Sequence, residues 1–556
     1  MKHVFACAAA VGLCAACTVE VTDRTSSPFY YHPPINPQTF RVEVQSDTTV
    51  RGVEFMSPGA GVAPMTPVGG DIYETTVPVP VCASAIEFSV DVTTQRILSD
   101  RTQTFPEAGR YTHQVVELPN ECNEFADTFG QTFVVDKRRD FVDSAPGDGV
   151  CRGDFVGPNG AETGCSLRAA VMEANASPGH DLIRLSDTRH RLTLNGSEDA
   201  TAVNERIRDL DITESVTIEG PSRRDTHLGV ILRRSGNRDD DLTDNDANFG
   251  FARIDGNDEQ RIFHVTGPGV VLRLRNLAIL HGNEAGAGGG VLNEGTLTLE
   301  RVAFAENRAE SVVGGGFGGG AVQNDGVLVG EDVAFTQNIV GGSNPAGGAL
   351  HNTGEMTLRR VLIAYNDARF GAGLMNLGGT SMIENATVYN NRWTGAGRTP
   401  PVTVFRTQSG GEMWLSFATL SDHSLDTRTL LSAVFPSTIR VRNTLMVDNI
   451  ANLCAGNILS YGGNVIEGVC RFARGSAPLA PDHEDVGFVS GTSSLIDRGG
   501  FLPVVEIGSY EFDARDLGYA PPFPFTDQRG VGFARRVDGN GDGEVRPDPG
   551  AFEYTP

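Results

Sequence analysis

Four stretches decide the fold: GGGVLNEGTLTLERVAFAEN (Gly288 to Asn307), GGGAVQNDGVLVGEDVAFTQN (Gly318 to Asn338), GGALHNTGEMTLRRVLIAYN (Gly347 to Asn366) and GAGLMNLGGTSMIENATVYNN (Gly371 to Asn391). Each opens on glycine, alternates apolar and polar residues, and closes on asparagine. The closing asparagines stand 31, 28 and 25 residues apart, and Asn283, in LAILHGN, precedes the first by 24. Asn449, in NTLMVDN, reads as a later copy. A period this short, varying by a few residues, is one turn of a β-solenoid plus loops of variable length. A β-propeller blade needs roughly 40 to 50 residues, so the period argues against it. Apolar residues two apart, Val302 with Phe304, Val333 with Phe335 and Val361 with Ile363, should point into the coil. The corners need left-handed backbone, which glycine takes freely and asparagine tolerates. Asparagines recurring at one corner can stack into an amide ladder. Asn283, Asn307, Asn338, Asn366 and Asn391 (or its neighbour Asn390) are therefore predicted to be structural. Length alone leaves room for roughly a dozen turns between 181 and about 470.

Outward from this region the chain changes character. Val4 to Ala16 is apolar after Met1-Lys2-His3 and ends Leu13-Cys14-Ala15-Ala16-Cys17. That is a signal-peptide pattern, and small residues before a cysteine are what a lipoprotein signal peptidase accepts. Residues 1–16 are expected to leave, with Cys17 carrying a lipid; plain secretion with cleavage near Ala16 is the alternative. The expected location is the outer membrane, surface-exposed and lipid-anchored. Residues 17–37 are a polar linker with Pro28, Pro33, Pro34 and Pro37. Between 38 and 120, period-two runs such as Phe40-Arg-Val-Glu-Val and Ile86-Glu-Phe-Ser-Val-Asp-Val predict a small immunoglobulin-like β-sandwich. Within 130–180, Leu167, Ala170, Val171 and Ala174 share one helical face and Ser166 can cap its start. Such a helix suits a lid over the raw end of a β-stack. The solenoid is assigned to 181–480 and a C-terminal cap to 481–556.

The net charge is −25, and Lys2 and Lys137 are the only lysines. An acidic surface repels nucleic acid, and the lack of lysine excludes a GxxxxGK phosphate loop. Cys7 and Cys14 fall in the signal peptide. Six cysteines remain beyond Cys17, lying as neighbours: Cys82 with Cys122, Cys151 with Cys165, Cys454 with Cys470. An even number in an exported chain favours disulfides, with connectivity left open. Without CxxC or clustered histidine, zinc is not expected.

Two segments carry a family resemblance. Asp148-Gly-Val-Cys151 followed by Cys165-Ser-Leu-Arg-Ala-Ala-Val-x-x-Ala-Asn175 resembles the CSLREA domain of bacterial surface proteins. Ser494-Leu-Ile-Asp497-Arg-Gly, Thr526-Asp-Gln-Arg-Gly530 and Asp548-Pro-Gly-Ala-Phe-Glu553 resemble the choice-of-anchor Q module. Together they cover roughly residues 130 to 556. The resemblance implies a right-handed parallel β-helix, a late disulfide at Cys454 and Cys470, and no established activity. Ala169 stands where the family has glutamate, which removes the acid of a capping box. Pro549 replaces an isoleucine, and Phe501 to Pro524 looks inserted.

Chemistry is sparse. Asp538-Gly-Asn540-Gly-Asp542-Gly-Glu544, with Asp548, resembles a calcium loop whose twelfth position is Pro549. Calcium there would be structural, and no other cofactor is expected. The run Asp239 to Asp246 reads as a solvated loop, and Gly314, Gly316 and Gly319 as repeat composition. Arg273 and Arg275 share the outward face of one strand, and Arg359-Arg360 follow in another turn, with no acidic cluster evident beside them. His281 and His351 read as surface histidines near corners. GxSxG and HExxH do not occur, and no catalytic residue is nominated. The sequence thus points to a monomeric, non-catalytic surface module contacting polysaccharide or another surface protein. A polysaccharide lyase or glycoside hydrolase on the same scaffold is the alternative.

Overall fold

The structure, a computed structural model, describes residues 19–23, 29–31, 38–57, 61–77, 85–95, 101–106, 111–117, 129–157, 160–194, 208–221, 252–311, 318–395, 402–421, 423, 429–447, 449, 452–461, 463–467, 470, 486–488, 504–507 and 510–513. The signal peptide and Cys17, the pair Cys82 and Cys122, the Asp239 run, Gly314 and Gly316, and the loop Asp538 to Asp548 lie outside the described residues. So do all three C-terminal motifs that carry the family resemblance.

The chain divides into two compact units, one of Met1–Asp127 with Ala520–Pro524, the other of Thr128–Tyr519 with Phe525–Pro556. In the first, Val19–Asp23, Gln38–Ser46, Ile72–Val77 and Thr66–Gly69 form an antiparallel sheet. A six-stranded sheet is built around Val50–Ser57 and Ala85–Thr94. Period-two alternation puts Phe40, Val42 and Val44 on the buried face of one sheet and Phe55 and Phe88 on that of the other. The three phenylalanine rings meet at 4.6 and 5.1 Å, so both sheets share one apolar cluster.

In the second unit every strand of the coil pairs in parallel with its counterpart one turn away. The strands Val271–Leu280, Thr296–Ala305, Val327–Thr336, Glu355–Ala364, Thr380–Tyr389 and Glu412–Ser421 stack side by side in a 16-stranded sheet. A nine-stranded and a three-stranded sheet complete the turns. Six consecutive turns carry the ten-residue strands, and the nine-stranded sheet, with one strand to a turn, spans nine turns among the described residues, against the roughly dozen that length alone allows. Equivalent asparagines lie 25 to 31 residues apart in the regular turns, and the first turns take more. Val302, Val333 and Val361 fall in register, as do Phe304, Phe335 and Ile363, all fully buried. Phe304 and Phe335 stack at 5.2 Å between centroids.

The ten-residue strands are not simple alternations. Leu272 and Leu274 face the core, and so do Leu277 and Ile279. The frame slips by one residue at Asn276, whose φ is +53°. Arg301, Asp332, Arg360, Asn385, Phe417 and Asn443 repeat this left-handed kink at φ from 48° to 56°. Glycine and asparagine were expected at such positions, but arginine, aspartate and phenylalanine occupy several of them. Each such residue strains the backbone by roughly 1–2 kcal/mol, which ladder hydrogen bonds on both sides must outweigh.

Ahead of the coil, the helix Leu167–Ala176 starts at Ser166, whose hydroxyl accepts from Ala169 N at 3.1 Å and donates to Phe141 O at 2.6 Å. The second bond anchors the cap without the capping-box acid that Ala169 removes. Leu167, Ala170, Val171 and Ala174 join the coil's own core cluster. Disulfides close Cys151–Cys165 and Cys454–Cys470.

Candidate functional site

The side chains that leave the core are organised in rows running from turn to turn. The first polar row lies inside a corner. Asn307 donates from both its backbone N–H and Nδ2 to Asn338 Oδ1, at 3.1 and 3.0 Å. Asn338 does the same to Asn366 and Asn366 to Asn391, between 2.9 and 3.0 Å. All four are fully buried. The left-handed residue is the one before each asparagine, Glu306, Gln337, Tyr365 and Asn390, so asparagine stands here for its two-sided amide and not for its backbone. Asn283 is not a rung. Gly282 occupies its place and donates to Asn307 Oδ1 at 2.9 Å, while Asn283 donates to Asp258 O. The glycine has no amide with which to extend the ladder.

A second ladder went unread in the sequence. Asn293, Asn324, Asn352 and Asn376 pass hydrogen bonds up the nine-stranded sheet and end on Thr407 Oγ1, at 2.6 to 3.1 Å. Its signal was present, since each copy carries asparagine just before its second glycine corner.

The third set of rows is charged and bears on catalysis. Glu219, Arg275, Glu300, Glu331, Arg359 and Glu384 are in register over six strands. The adjoining row of kinks carries Arg301, Asp332 and Arg360. Arg275 Nε lies 3.0 Å from Glu300, and Arg273 also pairs with Glu300. Above them, Arg359 lies 3.7 Å from Glu331, Arg360 pairs with the same glutamate, and Arg360 Nε donates to Asp332 at 2.7 Å. The like charges Glu300 and Glu331 are adjacent, yet each has two arginines on its outer side. The arginines singled out in the sequence therefore do have carboxylates beside them. Those partners sit 25 to 29 residues away, where a linear scan does not look. Arg273, Arg359 and Arg360 are buried, as guanidinium groups can be when paired. Burial pulls the Glu331 carboxyl up, but Arg359 and Arg360 outweigh it and hold it below the usual glutamate range.

His281 is buried, contrary to the surface position expected of it. Its Nδ1 lies 3.2 Å from Asp255 and its Nε2 3.5 Å from Glu306. Arg189 pairs with the same, fully buried Asp255. Bonds to Asp255 and Glu306 raise the imidazole to about 9 against its burial. Burial of Asp255 is in turn outweighed by His281, the Asn257 N–H and Arg189, so its carboxyl stays below the normal value. His351 is likewise inside, at 1 % exposure in the strand Leu350–Asn352.

No protein-family model and no curated protein matches the chain.

Proposed function

We propose that this chain is an exported, non-catalytic surface protein built on a right-handed β-helix and used for adhesion or polysaccharide contact. One observation carries the reading. At the clusters around Glu331 and Asp255, the coil pins acids and bases in their charged forms. A general acid or base needs a pKa near the working pH, with neighbouring groups pushed apart toward it. Here His281 is raised to about 9, and Glu331 and Asp255 are lowered. All three are held by partners as ion pairs, so none is poised to transfer a proton at neutral pH.

The remaining parts fit a display role. Residues 1–16 act as a lipoprotein signal peptide and Cys17 carries the lipid that holds the protein on the outer membrane. The first unit is a β-sandwich spacer. The segment 130–180 is a CSLREA-like lid that keeps the first edge of the stack from pairing with other chains. Residues 481–556 form a choice-of-anchor-Q-like cap whose Asp538, Asn540, Asp542, Glu544 and Asp548 hold calcium. The competing reading, a lyase or hydrolase, would place its machinery on the Arg273 and Arg275 face. The mature chain lacking residues 1–17, incubated with acidic and neutral polysaccharides with and without calcium, distinguishes the two. Binding without new reducing or unsaturated ends is the expected result; product formation overturns it.

A further inference from the structure

A separate group of side chains lies on the nine-stranded sheet, in the first turns of the coil. Asp211, in the strand Leu210–Ile212, is in register with His264 of Phe263–Val265. Glu294 follows the next strand, Val291–Asn293, which pairs with that of His264. Asp209 immediately precedes the first strand. One ligand atom each of Asp209, Asp211 and His264 lies within 4.8 Å of the others. We propose that these three residues bind one divalent transition-metal ion, with Glu294 orienting the histidine from behind.

Three features support this. His264 Nδ1 and Asp211 Oδ1 are 3.0 Å apart, close to the separation of neighbouring ligands around an ion at ~2.1 Å. Glu294 Oε2 lies 3.0 Å from the other ring nitrogen, Nε2. A carboxylate there accepts a hydrogen bond from Nε2–H and so leaves the Nδ1 lone pair facing the two aspartates, the arrangement by which proteins orient metal-binding imidazoles. Third, the charges do not balance. Asp209, Asp211 and Glu294 meet one guanidinium, Arg261, whose Nε donates to Asp209 Oδ2 at 2.6 Å. Arg261 is held from the far side by Ala287 O at 2.9 Å, while Arg208 pairs with Glu284. A carboxylate has two oxygens, so Asp209 can serve Arg261 and an ion together. A dication with a neutral imidazole cancels the remaining charge.

Imidazole with carboxylates suits zinc and its neighbours better than calcium, which takes oxygen ligands. Asp209 is buried, whereas Asp211 and His264 are half-buried, so water can complete the coordination. No clustered histidine marks this site in the sequence because its parts lie 53 and 30 residues apart.

The test is titration of the full, tag-free chain with zinc chloride by calorimetry, with cobalt(II) absorption as a second readout of the ligand set. One ion per chain is expected. His264→Ala and Asp211→Asn should each weaken binding at least a hundredfold, and Glu294→Gln roughly tenfold to a hundredfold. Asp538→Asn with Asp542→Asn should leave zinc binding unchanged. Circular dichroism checks that each variant is folded; Glu294 is exposed, so its exchange tests the site even where another variant unfolds. Absence of a stoichiometric site, or equal affinity in the wild type, Glu294→Gln and whichever of His264→Ala and Asp211→Asn fold, overturns the proposal.

Discussion

Replacing Asn338 with alanine tests how the coil holds its turns together. The side chain makes four buried hydrogen bonds. Its Oδ1 accepts from Asn307 N and Asn307 Nδ2, and its Nδ2 donates to Phe304 O and Asn366 Oδ1. Alanine removes all four and strips the Asn307 backbone N–H and one amide hydrogen of their partner, in a place water does not reach. Each buried donor left unmet costs roughly 1–3 kcal/mol. Phe304 O and Asn366 Oδ1 lose less, since an oxygen has a second lone pair. Together the loss is about 4 kcal/mol, or nearly a thousandfold in the unfolding equilibrium. Asn283→Ala is the control, because it removes a single side-chain hydrogen bond, to Asp258 O at 2.7 Å and at the surface, and should cost less than ~1 kcal/mol. Urea unfolding followed by tryptophan fluorescence reads the coil alone, because Trp393 and Trp414, the only tryptophans, both belong to it. A difference below ~1 kcal/mol between the two variants would refute the ladder as a source of stability.

Stability of the coil should also fall with rising alkalinity. The His281 pKa is raised to about 9 in the fold, so its contribution is complete below the unfolded value near 6.5, shrinks as pH climbs, and is gone above about 9. The shift corresponds to at most ~3 kcal/mol, and screening at the partly open Glu306 reduces this to about 2; urea midpoints from pH 6 to 10 should fall less steeply in His281→Gln. Arg168 and Asp140 form a wholly buried pair at 2.7 Å, and Asp140 also accepts from Thr193 N and Leu194 N. Arg168→Met strands that carboxylate and should cost about 3–5 kcal/mol, with the double change Arg168→Met and Asp140→Asn costing less; thermal melts in which the single variant is unaffected would contradict this. At the corner row, a Cβ on Gly354 would stand 2.0 Å from Gly326 O, so Gly354→Ala should force two turns apart and lower stability by roughly 2–4 kcal/mol in the same urea assay.

What was legible in the sequence was whatever repeats within one turn. Val302, Phe304 and their counterparts declared the core by their period, and Asn307, Asn338, Asn366 and Asn391 declared a common corner by their spacing. The frame slip at Asn276 and Arg301 was not legible, because a three-residue step from Leu274 to Leu277 looks like a broken alternation until the backbone angle is known. The ion-pair rows were missed for a different reason. Whether Arg275 meets Glu300 or its neighbour Arg301 depends on register across 25 residues, and one residue of slip reverses the charge. The expectation at Asn283 fails for the same reason: a spacing of 24 residues stands beside spacings of 25, 28 and 31, and the single residue separates a rung from the first position of the strand Asn283–Glu284.

Register also explains where a site can exist on such a coil. In the regular turns each polar residue of a row stands next to its counterpart one turn away, so its hydrogen bonds and charge are largely consumed by that neighbour. Glu331 is taken by Arg359 and Arg360, and Asn338 by Asn307 and Asn366. Groups that could serve a ligand arise where the repeat fails. The step from Asp211 to His264 spans 53 residues, about twice the regular period, and it sets an aspartate beside a histidine instead of beside its own copy. An excess of negative charge then remains that the neighbouring turns do not cancel. Lengthening one turn is therefore a more economical route to a binding site on a solenoid than changing side chains within the ladders, because every rung of a ladder is also a partner of the next.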